Sequence, residues 1–179
     1  TLRLHDLRHT LFLVVSHVTF QVTDFEDMFY SANTFPGTSG GAGGIAVWDT
    51  SKASTMMGMF RESLAFNAPI QQWNVEQVTT FKLTFNGATR FDQPVGQWNI
   101  VSVKEADALN DVFQPETNPA TTGLSSCNKR LIADAWANND VFKETNTSGW
   151  DSTNTGTSPS WEKIYPDAWA ADSCPPLTD

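Results

Sequence analysis

Large apolar residues recur along the chain at a fixed 25-residue interval. Trp48, Trp73 and Trp98 are separated by that interval, and so are Phe60 and Phe85. The same spacing joins Ile45, Ile70 and Val95, then Met56 and Phe81, Phe66 and Phe91, and Pro69 and Pro94. Because one such unit cannot bury its own aromatic side chains, neighbouring copies must stack and share a continuous core. The sequence therefore predicts a stacked repeat scaffold rather than a conventional catalytic domain.

One copy is longer than the others, and a partial copy precedes it. The pattern of Val22 to Phe35 returns at Ala53 to Phe66, six residues later than the repeat interval requires, and the extra residues fall in the glycine-rich segment 36–44. Such an insertion is typical of a surface loop. At the same longer interval, Val14 and His17 precede Ile45 and Trp48, so the repeats begin near residue 14.

The last copy is degenerate. Counting one repeat interval forward from Phe85, Phe91 and Trp98 gives Asn110, Glu116 and Gly123, none of which is a large apolar residue. Terminal repeats often lose their consensus in this way. The sequence predicts three parts: an N-terminal arm or cap strand at 1–13, about four repeats at 14–123, and a C-terminal cap at 124–179.

Each copy is predicted to contain a short helix and a short strand. Val78, Phe81, Thr84 and Phe85 have the spacing of one helix face, with Thr84 as the polar exception. The proline-marked segment 66–73 is predicted to be an extended strand. Stacking would pair the strands into a narrow parallel sheet with the helices opposite. The polar residues Asp49, Asn74 and Asn99 follow the tryptophans and are expected to bond to turn backbone.

The repeats resemble those of the BspA-like leucine-rich-repeat surface proteins. The resemblance is carried by FNAPIQQWNV at 66–75, FDQPVGQWNI at 91–100 and VTDFEDMFYSA at 22–32, and it covers roughly residues 14 to 123. It implies an α/β fold, a short leucine-rich-repeat-like solenoid with parallel strands on one face and short helices on the other. It also implies a secreted or cell-surface protein, commonly in adhesion or surface layers, and it carries over no catalytic residues.

The C-terminal segment is predicted to cover the end of the repeats. Ser125 or Ser126 can cap a helix whose apolar face contains Leu131, Ile132, Ala135 and Trp136, followed by Val141 and Phe142. For a surface protein, the only two cysteines, Cys127 and Cys174, are expected to form a disulfide that fastens this helical cap. Asn146 begins the only N-glycosylation sequon.

The N-terminal segment has two possible roles. Leu2, Leu4, Leu11, Leu13 and Val15 alternate with other residues in the manner of a strand. Either the segment folds over its own first copy as a cap, or it extends as an arm and adds to the open sheet edge of a neighbouring copy. Repeated head to tail, the second arrangement produces a filament.

The composition argues against several classes of function. The net charge of −9 makes nucleic acid and anionic membranes poor partners, and no apolar run is long enough to span a membrane. No catalytic motif, metal site or cofactor site is recognisable, so we expect a protein that is not an enzyme and that acts by association with copies of itself or with another surface protein. The alternative is an adhesin that binds a glycan or a partner protein through exposed residues such as Gln71, Gln72 and Gln97. The predicted repeat core contains Phe60, Ile70, Trp73, Phe85, Val95 and Trp98.

Overall fold

Turns and irregular segments, rather than helices and strands, make up most of the described chain. The structure is a computed structural model that describes residues 19–38, 44–113 and 123–144. Its two α-helices, α1 at Ser126–Trp136 and α2 at Asp140–Glu144, lie towards the C-terminus. Short 3₁₀ helices occupy Thr19–Gln21, Gly44–Val47 and Val95–Gln97. Within these ranges there is no strand or sheet, only isolated parallel bridges that join Thr55 to Asp24 and to Thr80.

The predicted α/β solenoid of parallel strands and short helices is therefore wrong. In the predicted strand at 66–73, the Trp73 N–H donates to the Ile70 carbonyl at 3.1 Å, which closes a turn instead of pairing with a neighbouring strand. The predicted helix positions Val78, Phe81, Thr84 and Phe85 are all buried, but the chain there is not helical. The spacing identified the correct buried side chains and assigned them the wrong backbone.

The segments predicted to be helices are runs of overlapping β-turns, which we call turn ribbons. They cover residues 25–32, 56–63 and 81–88. In the first ribbon, the N–H groups of Met28, Tyr30 and Ala32 each donate to the carbonyl three residues earlier, and the other two ribbons repeat this pattern. Residues three and four apart meet on one side of such a ribbon, as they do on a helix. Apolar spacing alone does not distinguish the two structures.

Residues with positive φ keep each ribbon from becoming a helix. They occupy its third and seventh positions: Asp27 and Ser31, Gly58 and Glu62, Leu83 and Gly87, with φ between 52° and 71°. A turn with positive φ at its third residue is type II in character and favours glycine, whereas a helix requires negative φ throughout. Only two of these six positions are glycine, so the sequence gives little warning of the conformation.

We call each repeat of the stack, with its turn ribbon, a coil. The remaining N–H groups of each ribbon donate to carbonyls of the next coil. Phe25, Asp27, Phe29 and Ser31 donate to the carbonyls of Thr55, Met57, Met59 and Arg61 at 2.8–3.1 Å. The second ribbon donates in the same way to the third, and the third donates to residues 108, 110 and 112. Along each ribbon, one N–H group thus closes a turn within its coil, and the next N–H group donates to the following coil. The joining N–H groups of the ribbons all point towards the C-terminus of the stack, so the carbonyls that accept them point towards its N-terminus.

Three columns of aromatic rings fill the interior of this coil stack. Trp48, Trp73 and Trp98 lie with ring centroids 6.5 Å apart and planes within 5°. A second column contains Phe29, Phe60, Phe85 and Phe113 at 5.4–5.7 Å, and a third contains Phe35, Phe66 and Phe91 at 5.7–6.5 Å. Stacking at these distances adds to the free energy gained from burying the ring surface.

Buried polar groups are bonded between coils as well. The indole Nε1 of Trp73 donates to the carbonyl of Ile45 at 3.0 Å, and that of Trp98 donates to the carbonyl of Ile70 at 3.2 Å. Thr84, the polar exception in the apolar pattern, donates its hydroxyl to the carbonyls of Met56 and Phe81. The buried hydroxyl of Thr84 is therefore hydrogen-bonded.

The turns after the tryptophans form as the sequence predicts. The side-chain oxygens of Asp49, Asn74 and Asn99 accept the N–H two residues further on, at 3.0, 3.1 and 3.2 Å. The bond from Ser51 lowers the pKa of the Asp49 carboxyl. These short polar side chains close the corner at which each coil turns into the next.

The glycine-rich insertion leaves the coil and returns at almost the same point. Ile45 N–H donates to the carbonyl of Gly37 at 3.1 Å, and Gly37 and Gly44 have φ of 81° and 57°. A Cβ on Gly37 would lie 2.6 Å from both Ala68 Cβ and the Phe66 ring, so only glycine fits there without displacing the core. The insertion therefore leaves the path of the coil unchanged. Residues 39–43 themselves lie outside the described ranges.

The last copy is shifted relative to its sequence prediction. Phe113, and not Asn110, stacks on Phe85 at 5.6 Å with the planes 4° apart. Asp111, with φ of 55°, takes the third ribbon position in this copy. Leu109 therefore corresponds to Phe81, and the coil contains three residues more than the strict repeat interval allows. This copy keeps its aromatic ring after all.

The helical cap begins where the sequence predicts, but its predicted covalent link is not part of the described structure. Ser125 is the N-cap of α1, and its hydroxyl accepts the Asn128 N–H at 3.3 Å. Cys127 lies in the first turn of α1, whereas its predicted partner Cys174 lies outside the described residues. No disulfide joins two described residues, and the described contacts that place α1 are packing and hydrogen bonds.

Replacing Phe85 by alanine should destabilise the fold far more than replacing Phe29. Phe85 is in the middle of its column and touches rings on both sides, so its removal should cost about 3–5 kcal/mol of unfolding free energy. Phe29 is at the end of the same column and is only partly buried, so the loss should be clearly smaller. Urea denaturation measures both values. Equal losses for the two variants would contradict the smaller burial of Phe29.

Candidate interaction surfaces at the two ends of the stack

Several charged side chains of the described chain form ion pairs on the surface. Hydrogen bonds from Lys82 and Lys143 hold the pKa of Asp107 and Asp140 below the usual value for a carboxyl. Within the three described ranges, no group of three His, Cys, Asp or Glu residues is placed to hold a metal ion. The two ends of the coil stack are the parts of the molecule that differ most from its repeating middle.

The C-terminal end is covered by α1 and α2. Trp136 of α1 continues the phenylalanine column, with its ring 6.3 Å from that of Phe113, and Phe142 of α2 meets Trp136 edge-on at 5.7 Å. Ile132 is fully buried, and the backbone of α1 passes so close to Gly96 that a Cβ there would lie 2.7 Å from the Leu131 carbonyl oxygen. The last rings of the core are thus enclosed by the cap.

One carboxylate fixes the start of α1. Oδ1 of Asp92 accepts hydrogen bonds from the N–H and hydroxyl of Ser125, each at 2.9 Å, and from Nδ2 of Asn128 at 2.6 Å. One coil earlier, Oδ1 of Asn67 accepts the N–H of Asp92 at 2.9 Å and Nε2 of Gln93 at 2.7 Å. The cap is therefore attached through the same acceptor position that joins one coil to the next.

A second polar contact anchors the start of α2. Nδ2 of Asn139 donates to the carbonyls of Ile100 and Val103, both at 3.2 Å, and its Oδ1 accepts the Phe142 N–H at 3.0 Å. Between the two anchors, burial lowers the pKa of Lys129, and nearby Asp92 opposes that shift. Sequence reasoning missed Asp92 and Asn139 as docking residues. The sequence did contain one signal for Asp92, which lies one repeat interval after Asn67.

The N-terminal end is less completely covered. Met28, Phe29, Phe35 and Trp48 are only partly buried, although the matching residues Met59, Phe60, Phe66 and Trp73 of the next coil are buried. The carbonyls of Glu26, Met28 and Tyr30 occupy the positions that accept N–H groups in later coils, and no donor among the described residues reaches them. This end combines half-covered rings with outward-facing carbonyls.

A lateral face of the stack is polar. Gln72 and Gln97 are exposed at the position before each tryptophan, and Val47 at the same position of the first coil is 50% exposed. Gln71 is half-buried, and its Oε1 is buried without a donor among the described residues. Of the three glutamines proposed for the adhesin alternative, only Gln72 and Gln97 are therefore exposed.

The predicted site residues separate into two groups. The structure buries all six predicted core residues, Phe60, Ile70, Trp73, Phe85, Val95 and Trp98. The residues predicted for self-association and modification, Leu2, Leu4, Leu11, Leu13, Val15, Asn146 and Cys174, lie outside the described ranges. Their roles stay predictions.

Replacing Asp92 by alanine should loosen the cap, whereas replacing it by asparagine should largely preserve it. Alanine removes the acceptor of three hydrogen bonds and should lower the unfolding free energy by about 2 kcal/mol, because bonds to charged acceptors contribute about 1.5–3 kcal/mol each and this site is partly exposed. Asparagine keeps an Oδ1 acceptor, as Asn67 does. Urea denaturation followed by tryptophan fluorescence measures the difference. An alanine variant as stable as the asparagine variant would contradict the docking role.

Comparison with known proteins relates the chain to one family. A family model described as "Mycoplasma protein of unknown function, DUF285" matches residues 13–122, which is more than half of the chain. Searches of the curated proteins and of the solved structures found no match. In the described part of the chain, neither helix has the length and apolar character needed to cross a bilayer. The match spans the coils described above, and the chain belongs to the DUF285 family.

Proposed function

We propose that the protein is an extracellular or cell-surface structural protein that works by protein–protein association through the N-terminal end of its coil stack. The difference between the two ends is the observation that carries this proposal. Two helices cover the last rings of the core, whereas Phe29, Phe35 and Trp48 at the first coil are only partly covered. The resemblance of the repeats to BspA-like surface proteins supports the location.

The backbone at this end favours an extended partner segment. The carbonyls of Glu26, Met28 and Tyr30 alternate along the ribbon, as do the acceptors that bind N–H groups in the later coils. A segment that donates every second N–H can therefore lie along this edge in the way a strand adds to a sheet. Its apolar side chains would cover Phe29 and Phe35, which gives both hydrogen bonds and apolar burial.

The N-terminal segment of a second copy is our candidate partner. Its alternating Leu2, Leu4, Leu11 and Leu13 provide the apolar side chains, with Val15 following. Reciprocal exchange of this segment between two copies closes a pair, whereas one-way donation continues into a head-to-tail filament. The net charge of −9 makes copies repel each other, so added salt should strengthen the association.

Removing residues 1–12 should abolish self-association. Size-exclusion chromatography with light scattering and negative-stain electron microscopy would compare the full chain and the truncated chain at equal concentration and at two salt concentrations. We expect oligomers or filaments from the full chain and monomers from the truncated chain. The matched pair Leu11→Asp and Thr10→Asp adds one charge at an apolar and a polar position, and only the first should weaken assembly. Monomeric behaviour of the full chain in both salts would refute self-association.

An adhesin remains the second candidate. Its support is the row of exposed side chains at one repeat position, Val47, Gln72 and Gln97. Amide side chains can bind the hydroxyl groups of a glycan, although solvated polar residues are common on any surface. A glycan array probed with the full chain should give a signal that Gln72→Ala and Gln97→Ala weaken. An array without any bound glycan would count against this candidate.

A further inference from the structure

Glu62 has a backbone conformation that glutamate rarely adopts. Its φ is 56°, in the left-handed region where a Cβ lies too close to the following carbonyl oxygen. The equivalent position of the third ribbon is Gly87, with φ of 71°, and glycine adopts this region without that clash. A conformational cost of this kind persists where the surrounding contacts compensate for it, and it is often found at functional sites. The side chain of Glu62 must therefore supply contacts that a glycine could not make.

The carboxylate of Glu62 reaches back to the end of the first ribbon. Oε1 accepts the hydroxyl of Tyr30 at 3.2 Å, and Oε2 accepts the hydroxyl of Ser31 at 2.9 Å. The guanidinium of Arg61 lies 5.3 Å from the centre of the Tyr30 ring, and its Nε lies 3.8 Å from Oε1 of Glu62. We call these four residues the edge clamp. It joins two side chains of the first coil to two side chains of the second.

The third ribbon has different residues at the clamp positions. They are Asn86 and Gly87, which have neither a carboxylate nor a hydroxyl. Glu62 N–H donates to the Asn86 carbonyl at 2.7 Å, and the third ribbon donates in turn to residues 108, 110 and 112. A ribbon inside the stack thus has backbone bonds to coils on both sides. The carboxylate clamp occurs at the first ribbon, which among the described residues has such bonds on one side only.

We propose that Glu62 is a positioning residue of the open N-terminal edge. It fixes the end of the first ribbon, and the Tyr30 carbonyl belongs to the row of acceptors proposed to bind a partner segment. Acceptors that are already held in place lose less conformational entropy on binding. A glycine at position 62 would remove the backbone cost but would also release Tyr30 and Ser31. The use of this edge as a contact surface rests on the proposed function, whereas the clamp rests on the contacts given above.

Replacing Glu62 by glycine should loosen the first ribbon and leave the third ribbon unchanged. The amides of Phe29 and Ser31 donate to the second coil, and NMR hydrogen exchange of the full chain follows them in dilute solution, where light scattering shows a monomer. Their exchange should become about tenfold faster, since the clamp contains two bonds to a charged acceptor that is partly exposed. The amides of Leu83 and Phe85 should keep their exchange rates.

Three further variants separate the clamp from the backbone effect of glycine. Leu83→Gly also places glycine where φ is positive, at 60°, and should leave the first-ribbon amides unchanged. Glu62→Gln keeps one side-chain oxygen as an acceptor and should give an intermediate rate. In a chain with Tyr30→Phe and Ser31→Ala, Glu62→Gly should have little additional effect. Unchanged exchange at Phe29 and Ser31 in Glu62→Gly, or equally faster exchange in both ribbons, would overturn the clamp.

Association is the measurement that connects the clamp with the contact edge. Glu62→Gly should raise the concentration at which the full chain is half assembled by about threefold, because local opening of a terminal segment costs little free energy and competes with binding. Leu83→Gly should leave this concentration unchanged in the same light-scattering titration. An unchanged value for Glu62→Gly together with faster first-ribbon exchange would overturn the positioning role. If the unsubstituted chain stays monomeric, the proposed function fails, and the exchange rates still decide whether the clamp holds the first ribbon.

Discussion

The alternation of backbone hydrogen bonds in the turn ribbons is the constraint on which the rest of the structure depends. One N–H group in every two closes a turn within its coil, and the next reaches the following coil. This arrangement satisfies the backbone without a helix or a sheet, as buried backbone groups require. It also fixes the distance between coils, and rings at equivalent positions then have to lie face to face.

The sequence predicted the side chains of this structure better than its backbone. The interval between Trp73 and Trp98 identified the columns because stacked copies must place the same residue types together. It could not identify the ribbons, because residues three and four apart meet on a helix and on consecutive turns alike. Positive φ would have been the distinguishing signal, and at Leu83 and Glu62 no glycine marks it. In the last copy, a strict count of the repeat interval missed Phe113, since three additional residues are absorbed before Leu109.

The contact surfaces were predictable to different degrees. The cap helix followed from its N-cap serine and apolar face. Asp92 was missed because its importance depends on two side chains that lie beyond the next repeat in the sequence, Ser125 and Asn128. The difference between the ends was expected, but its physical basis was not. Without a sheet, the open end is defined by carbonyl direction and partly covered rings.

The equivalence of Asn67 and Asp92 has a consequence for the length of such proteins. The cap binds an acceptor position that two successive coils share, and nothing in that contact depends on how many coils come before it. The number of coils can then change by whole units through duplication or loss of a repeat, while the same end piece closes the molecule. Length then becomes a property that varies independently of how the end of the molecule is closed.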